Sequence, residues 1–238
     1  MAEIPEHEGR VPDWATTNGQ PPRSPRSRSN IRLQALRLAR TIDDRSGVVD
    51  TMGAMDPPAM TAQLVRRRLE RDELGLLWTI DRAEVVERVY GLGDGELVLR
   101  PGFFDIRRWP SGDQEHAAPE LLASFDRGGA CLGIFDGPRL IAAAVIDTRQ
   151  LGPAGDLVQL SFLHVGRDHR GLGLGVELYE AAQTVAADFG AAGLYVSATP
   201  SEHTIDFYRR RGCRVTPLPD PELLALEPDD IHLECRKG

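Results

Sequence analysis

The sequence predicts a mixed α/β fold, a twisted sheet with helices on both faces, and three observations predict it. Short apolar runs alternate with amphipathic stretches from Asp156 to the C-terminus. "ACLGIF", the turn "DGPR" and "LIAAAVIDT" together read as a β-hairpin closed by a Gly-containing connection. "DLVQLSFLHV" reads as a strand that runs into "GRDHRGLGLG", after which a helical pattern starts at once.

Taken in order, residues 1–30 are crowded with Pro, Arg and Ser and read as disordered, and "NIRLQALRLAR" as a short amphipathic helix. This gives an N-terminal extension over 1–60 and a globular domain over 61–238. "MTAQLVRRRLERDEL" reads as a helix or helical lead-in, "GLLWTI" as a strand, and "DRAEVVERVY" as a helix with Val85, Val86 and Val89 on one face. "GELVLRP" reads as a strand, "GFFDIRRWPSGD" as irregular, and Ala117 to Phe125 as a helix. A long helix is expected from Leu172 to Phe189, with Leu174, Leu178, Ala181, Ala182, Val185 and Phe189 on its buried stripe. "GLYVSAT" then reads as a strand, "PSEHTIDFYRRRG" as a helix, and "DDIHLECRK" as a closing strand. Thr199-Pro200-Ser201-Glu202 has the form of a capping box with proline at the first helical position.

Composition narrows the function. The 238-residue chain has a formal net charge of -8, which argues against a general binder of nucleic acid or anionic membranes. A basic small substrate suits it better. No apolar run approaches the roughly 20 residues of a membrane span, and the N-terminus lacks a secretory core, so a cytoplasmic location is expected. Cys131, Cys213 and Cys235 show neither close pairing nor metal-ligand spacing. They are read as buried or incidental thiols, with no metal site.

The stretch from His164 to Gly175, "HVGRDHRGLGLG", needs its own account. Glycine inside a helix costs about 1 kcal/mol against alanine, so three at alternate positions near a helix start need another cause. A strand ending at Val165, a glycine turn and a helix start aim several free backbone N–H groups at one place, which suits a phosphate. A dinucleotide fingerprint from Gly171 fails at Val176, and no Gly-Lys-Ser/Thr ending is present.

Arg170-Gly171-Leu172-Gly173-Leu174-Gly175 resembles the R/Q-x-x-G-x-G/A signature of the GNAT acyltransferase superfamily. "SEHTIDFYRRRGC" resembles that family's second motif. Ser201 and Thr204 replace its usual Asn and Ala, and Ile205, Phe207, Tyr208 and Gly212 match. The resemblance implies a mostly antiparallel sheet of six to seven strands that splays between "LVQLSFLHV" and "LYVSAT". It also implies acetyl-CoA as co-substrate, an amine acceptor and a monomer or homodimer. Backbone groups of Leu163, His164 and Val165 would then pair with the pantetheine arm. Arg170 and the N–H groups from Gly171 through Leu172, Gly173 and Leu174 to Gly175 would hold the pyrophosphate, while Ser201, Thr204 and Phe207 would touch the same ligand.

Acyl transfer to an amine needs a neutral nucleophile, a stabilised oxyanion and a proton for the departing thiolate. The resemblance gives the last role to Tyr208, whose phenol is protonated at neutral pH. Relatives carry a base where Gln159 and Ser161 stand, and neither of these can accept a proton. They are expected to orient a water that relays the proton to a carboxylate or to solvent. Asp156 lies on the opposite strand face if the strand is regular, and His164 has the wrong parity with Gln159. "WPSGDQEH" and the acidic "PDPELLALEPDD" are the stretches expected to meet the acceptor.

Overall fold

In the computed structural model the described residues are 64–237, apart from 94, and the expectations for residues 1–60 lie outside them. The chain runs β1 (Val65–Arg68), a 3-10 helix (Arg71–Thr79), β2 (Glu84–Gly93), β3 (Glu96–Ile106) and α1 (Asp113–Asp126). It continues through β4 (Ala130–Asp136), β5 (Arg139–Leu151), β6 (Leu157–Val165), a 3-10 turn (Arg167–His169) and α2 (Leu174–Asp188). β7 (Gly193–Ala198), α3 (Glu202–Arg209), β8 (Arg214–Val215), α4 (Pro221–Leu226) and β9 (Ile231–Arg236) complete it.

Seven strands form one sheet in the order β1-β4-β5-β6-β7-β9-β8, and β2 and β3 form a separate hairpin. Every pair in the large sheet is antiparallel except β6 with β7. That single parallel pair is short. It spans Leu157↔Gly193 to Gln159↔Tyr195, although β6 continues to Val165 and β7 to Ala198. Beyond Gln159 the two strands part, as the expected splay requires, and the backbone edge of β6 there has no strand beside it.

Helices cover both faces. On one face, Leu174, Leu178, Ala182 and Val185 of α2 pack with Ile205 and Tyr208 of α3 against Val158, Leu160, Leu194 and Val196. On the other, Leu74 and Leu77 of the first 3-10 helix and Leu121 of α1 pack against Val145 and Phe162. Leu223 of α4 joins Leu157 and Tyr195 on that second face.

Several readings are corrected. "DRAEVVERVY" is strand β2, not a helix, and "GFFDI" belongs to β3. β2 and β3 pair out to Gly93↔Glu96, and Gly95 in the turn has φ 81. This turn sets the register and overrides the helical spacing of three valines. "GLLWTI" falls in the 3-10 helix and its end, and the expected lead-in helix is replaced by β1 and that same helix. β8 and α4 have no counterpart in the sequence reading. The helix cap is shifted: Ser201, not Thr199, is the N-cap of α3, and its Oγ accepts from the Thr204 N–H at 3.3 Å. Cys213 and Cys235 form a disulfide, with Cα atoms 4.2 Å apart. They stand side by side just before the Arg214↔Glu234 pair, a closeness that 22 residues of sequence separation conceal. Cys131 is a buried thiol.

Candidate active site

A cleft of about 1790 Å³ opens at the splay. Its first wall is β6. Strand β6 carries a bulge, because Val145 pairs with Phe162 while Ile146 pairs with Leu160, and Ser161 is left between them. A bulge of this kind reverses side-chain alternation along a strand. Val158 and Leu160 accordingly pack on the α2 face, Phe162 packs on the opposite face, and Leu163 and Val165 return to the α2 face. Gln159, Phe162 and His164 therefore share the face that carries α1 and α4. The expectation that His164 has the wrong parity with Gln159 assumed a regular strand, and the bulge overturns it.

The glycine turn forms the end of the cleft. Gly171 and Gly173 have φ of 77° and 80°, a region costly for other residues, and an added Cβ at either would meet open space. Gly173 is the N-cap of α2. Among the described residues, the N–H groups of Gly171, Leu172, Gly173, Leu174 and Gly175 donate to no protein acceptor. Five donors at a positive helix end facing open space form a ready anion site. Arg170 acts differently, since its guanidinium donates to the carbonyls of Val165 at 3.2 Å and Ala83 at 3.0 Å and so ties the turn to the end of β6.

Helix α3 closes the cleft from the α2 face. Phe207 lies against Gly175, leaving no more than van der Waals room for a Cβ there. The ring of Tyr208 is held by the edges of Phe207 and Tyr179, 5.1 and 6.2 Å between centroids, and is 5 % exposed. Burial pushes its phenol well above the ordinary tyrosine range, so it is a proton donor throughout the neutral region.

The opposite face supplies side chains. Trp109 stands edge-on to Trp78 at 5.0 Å and to His164 at 4.8 Å, and stacks on Phe162 at 5.8 Å. Its indole N–H donates to the Ile80 carbonyl, which fixes the ring. Gln159 accepts from Arg149 at 3.3 Å, and the Ser161 hydroxyl donates to the Val145 carbonyl at 3.3 Å. Asp147, 1 % exposed, lines this wall. Burial works to raise its carboxyl, but the Arg127 guanidinium at 2.5 Å and the N–H groups of Arg149 and Thr148 outweigh it and hold the group below the usual carboxylate range.

Thirteen of the residues singled out from sequence line this one cleft: Gln159, Ser161, Leu163, His164, Val165, Arg170, Gly171, Gly173, Leu174, Gly175, Thr204, Phe207 and Tyr208. Leu172 and Ser201 do not. Leu172 points outward, 66 % exposed, and Ser201 is 4 % exposed with its hydroxyl donating to Thr204 Oγ1 at 2.8 Å. Asp156 is paired with Arg236 away from the cleft. "WPSGDQEH" and "PDPELLALEPDD" both reach it, through Trp109, Asp113 and His116 and through Glu222, Glu227 and Asp230. Asp147, Arg149 and Trp78 were not foreseen, since no local pattern distinguishes a cleft-lining Asp or Trp from a surface or core one. Among the described residues no group of His, Cys, Asp or Glu could hold a metal ion, and no helix is long and apolar enough to cross a membrane.

Residues 100–213 match the family model described as the acetyltransferase (GNAT) family. Among solved structures, nourseothricin acetyltransferase superposes with a TM-score of 0.54 at 17% identity, covering 73% of this chain and 97% of that one. The PaiA N-acetyltransferase from Thermoplasma acidophilum, in complex with coenzyme A, gives a TM-score of 0.49 at 16% identity, covering 74% and 99%. The first of these likenesses speaks to the fold. No curated protein matches the sequence.

Proposed function

Residues 100–213 are a domain of the GNAT acetyltransferase family, and from that premise we propose that this protein moves an acetyl group from acetyl-CoA to a primary amine of a small acceptor by direct attack, within a domain spanning 61–238. The observation that carries the reading is the open edge of β6 followed, across a 3-10 turn that Arg170 ties to Val165, by five unengaged N–H groups at the start of α2. An extended amide-bearing arm ending in a pyrophosphate matches that sequence of donors and acceptors, since the arm can add to the edge as a strand does. Leu163, His164 and Val165 offer the backbone for the arm, and Gly171 to Gly175 the donors for the phosphates. Arg170 braces the turn. Thr204 and Phe207 face the same ligand from α3.

The donor's thioester lies between the two faces of the sheet. The amine attacks the carbonyl carbon from the α1/α4 face, a C–N bond forms, and the oxyanion collapses to break the C–S bond. Tyr208, on the α2/α3 face, gives its proton to the departing thiolate. Gln159 and Ser161 orient the acceptor or a water beside it and take no proton.

Calorimetric titration of acetyl-CoA into the protein, followed by assay of thiol release against a panel of amines, tests the reading. Binding with release by one class of amine is the expected outcome. Binding without release by any amine would favour a regulatory acyl-CoA-binding module, and absence of binding to the folded protein would remove the acetyl-CoA reading altogether.

A further inference from the structure

Resting on the transferase reading, we infer that His164 accepts the proton that the attacking amine must lose. The arm proposed to lie along β6 ends in a phosphate group at residues 171–175, across the 3-10 turn that Arg170 ties to Val165, so its reactive end lies back along the strand, beside Ser161 to Leu163. Successive residues on one strand face stand about 7 Å apart, which places the His164 ring within reach of an amine at that point, directly or through one water. The Ser161 bulge is what makes this geometry available: it sets His164 on the same face as Gln159, opposite the face from which Tyr208 approaches. Acid and base then flank the thioester from the two sides of the splay.

The neighbouring polar groups are unsuited to this step. Gln159 and Ser161 cannot take a proton at neutral pH, and Asp147, held below the usual carboxylate range by Arg127 and two backbone N–H groups, is too weak a base to keep one. Imidazole exchanges a proton near neutrality. The ring of His164 is oriented by Trp109 at 4.8 Å and Phe162 at 4.7 Å. The charged and titratable groups on the elements packed around it include Arg82, whose guanidinium lies 4.8 Å over Trp109, its ion-pair partner Asp113 at 3.4 Å, His116 of α1, and His169 beyond Gly166.

The proton balance closes. His164 takes one proton as the amine becomes an amide nitrogen, Tyr208 gives one to the thiolate, and solvent restores both groups. The net reaction is amine plus acetyl-CoA to acetamide plus free thiol.

The test compares His164→Gln and His164→Phe with the wild type and with His169→Gln and His203→Gln, using acetyl-CoA and the best amine of the panel. Phe keeps the ring packing against Trp109 and Phe162 and removes the proton acceptor, so it also serves if Gln disturbs folding. Both His164 variants should lose about 100-fold in kcat, lose the acid limb of the kcat profile, and bind acetyl-CoA within twofold of wild type. The two control variants should keep the limb. A His164→Phe variant that retains kcat and the limb overturns the assignment while leaving the transferase reading intact. A wild type that binds acetyl-CoA but releases no thiol with any amine overturns both.

Discussion

The two walls of the cleft use different chemistry. The wall assigned to the donor is contiguous, running from the bulge at Ser161 to Gly175, and its polar groups belong to the backbone. The wall assigned to the acceptor collects side chains from separate segments: Trp78 from the first 3-10 helix, Trp109 from the turn before α1, Asp147 from β5, His164 from β6 and Glu222 from α4. A ligand read by backbone groups tolerates almost any side chain except where a glycine conformation is required. A ligand read by side chains depends on every element that delivers one, so damage to the acceptor wall should spread through stability while damage to the donor wall stays local.

The largest effect should fall between the walls. Tyr208→Phe removes the proton donor proposed for the thiolate and should lower kcat by about 1,000-fold, with acetyl-CoA affinity unchanged by calorimetry. Because burial holds the phenol above its ordinary range, the wild-type kcat should show no alkaline loss up to about pH 10. Gly173→Glu should break the donor wall alone. It sets a carboxylate among the N–H donors and forces a side chain to φ 80, so affinity for acetyl-CoA should fall about 100-fold, roughly 3 kcal/mol. A loss confined to turnover would contradict the site assignment.

Asp147→Asn should act on the acceptor wall through stability, by about 1 kcal/mol in urea unfolding at neutral pH, because the buried carboxylate gives up its charge-assisted bonds to Arg127, which is partly exposed and keeps Glu120 as a partner. The pH dependence follows from the sign. The folded carboxyl titrates below its unfolded value of about 3.9, so its stabilisation is full above that pH and is lost as the pH falls further. Unfolding at pH 7 and pH 3 should therefore show a wide gap between wild type and variant that narrows in acid. An equal gap at both would assign the loss to packing. The smallest effect belongs to Glu202→Gln, which breaks a surface pair with Arg88 and should cost about 0.5 kcal/mol or less in thermal unfolding.

The contrast between the walls also explains what could be read in advance. α2 and strands β4, β5, β6, β7 and β9 follow from hydrophobic periodicity and turn residues. The β2–β3 hairpin is not legible in this run because Val85, Val86 and Val89 satisfy a helical face as well as a strand, and the pairing with β3 across the turn at Gly95 that decides between them lies beyond it. The α3 cap moved by two residues because Ser201 is also held by its bridge to Val89 of that same hairpin. The disulfide required a strand, β8, too short to carry any period.

What the sequence by itself determined is the glycine turn, the strand before it and the helix after it, because positive φ, a helix N-terminus and an apolar stripe are local properties of residues 157–189. What only the tertiary structure decided is which face each β6 side chain occupies and what meets it there. The bulge at Ser161 is set by the pairing of β6 with β5, a contact between distant segments, and one extra residue in that pairing moves His164 from the wrong face of the sheet to the face of the acceptor wall.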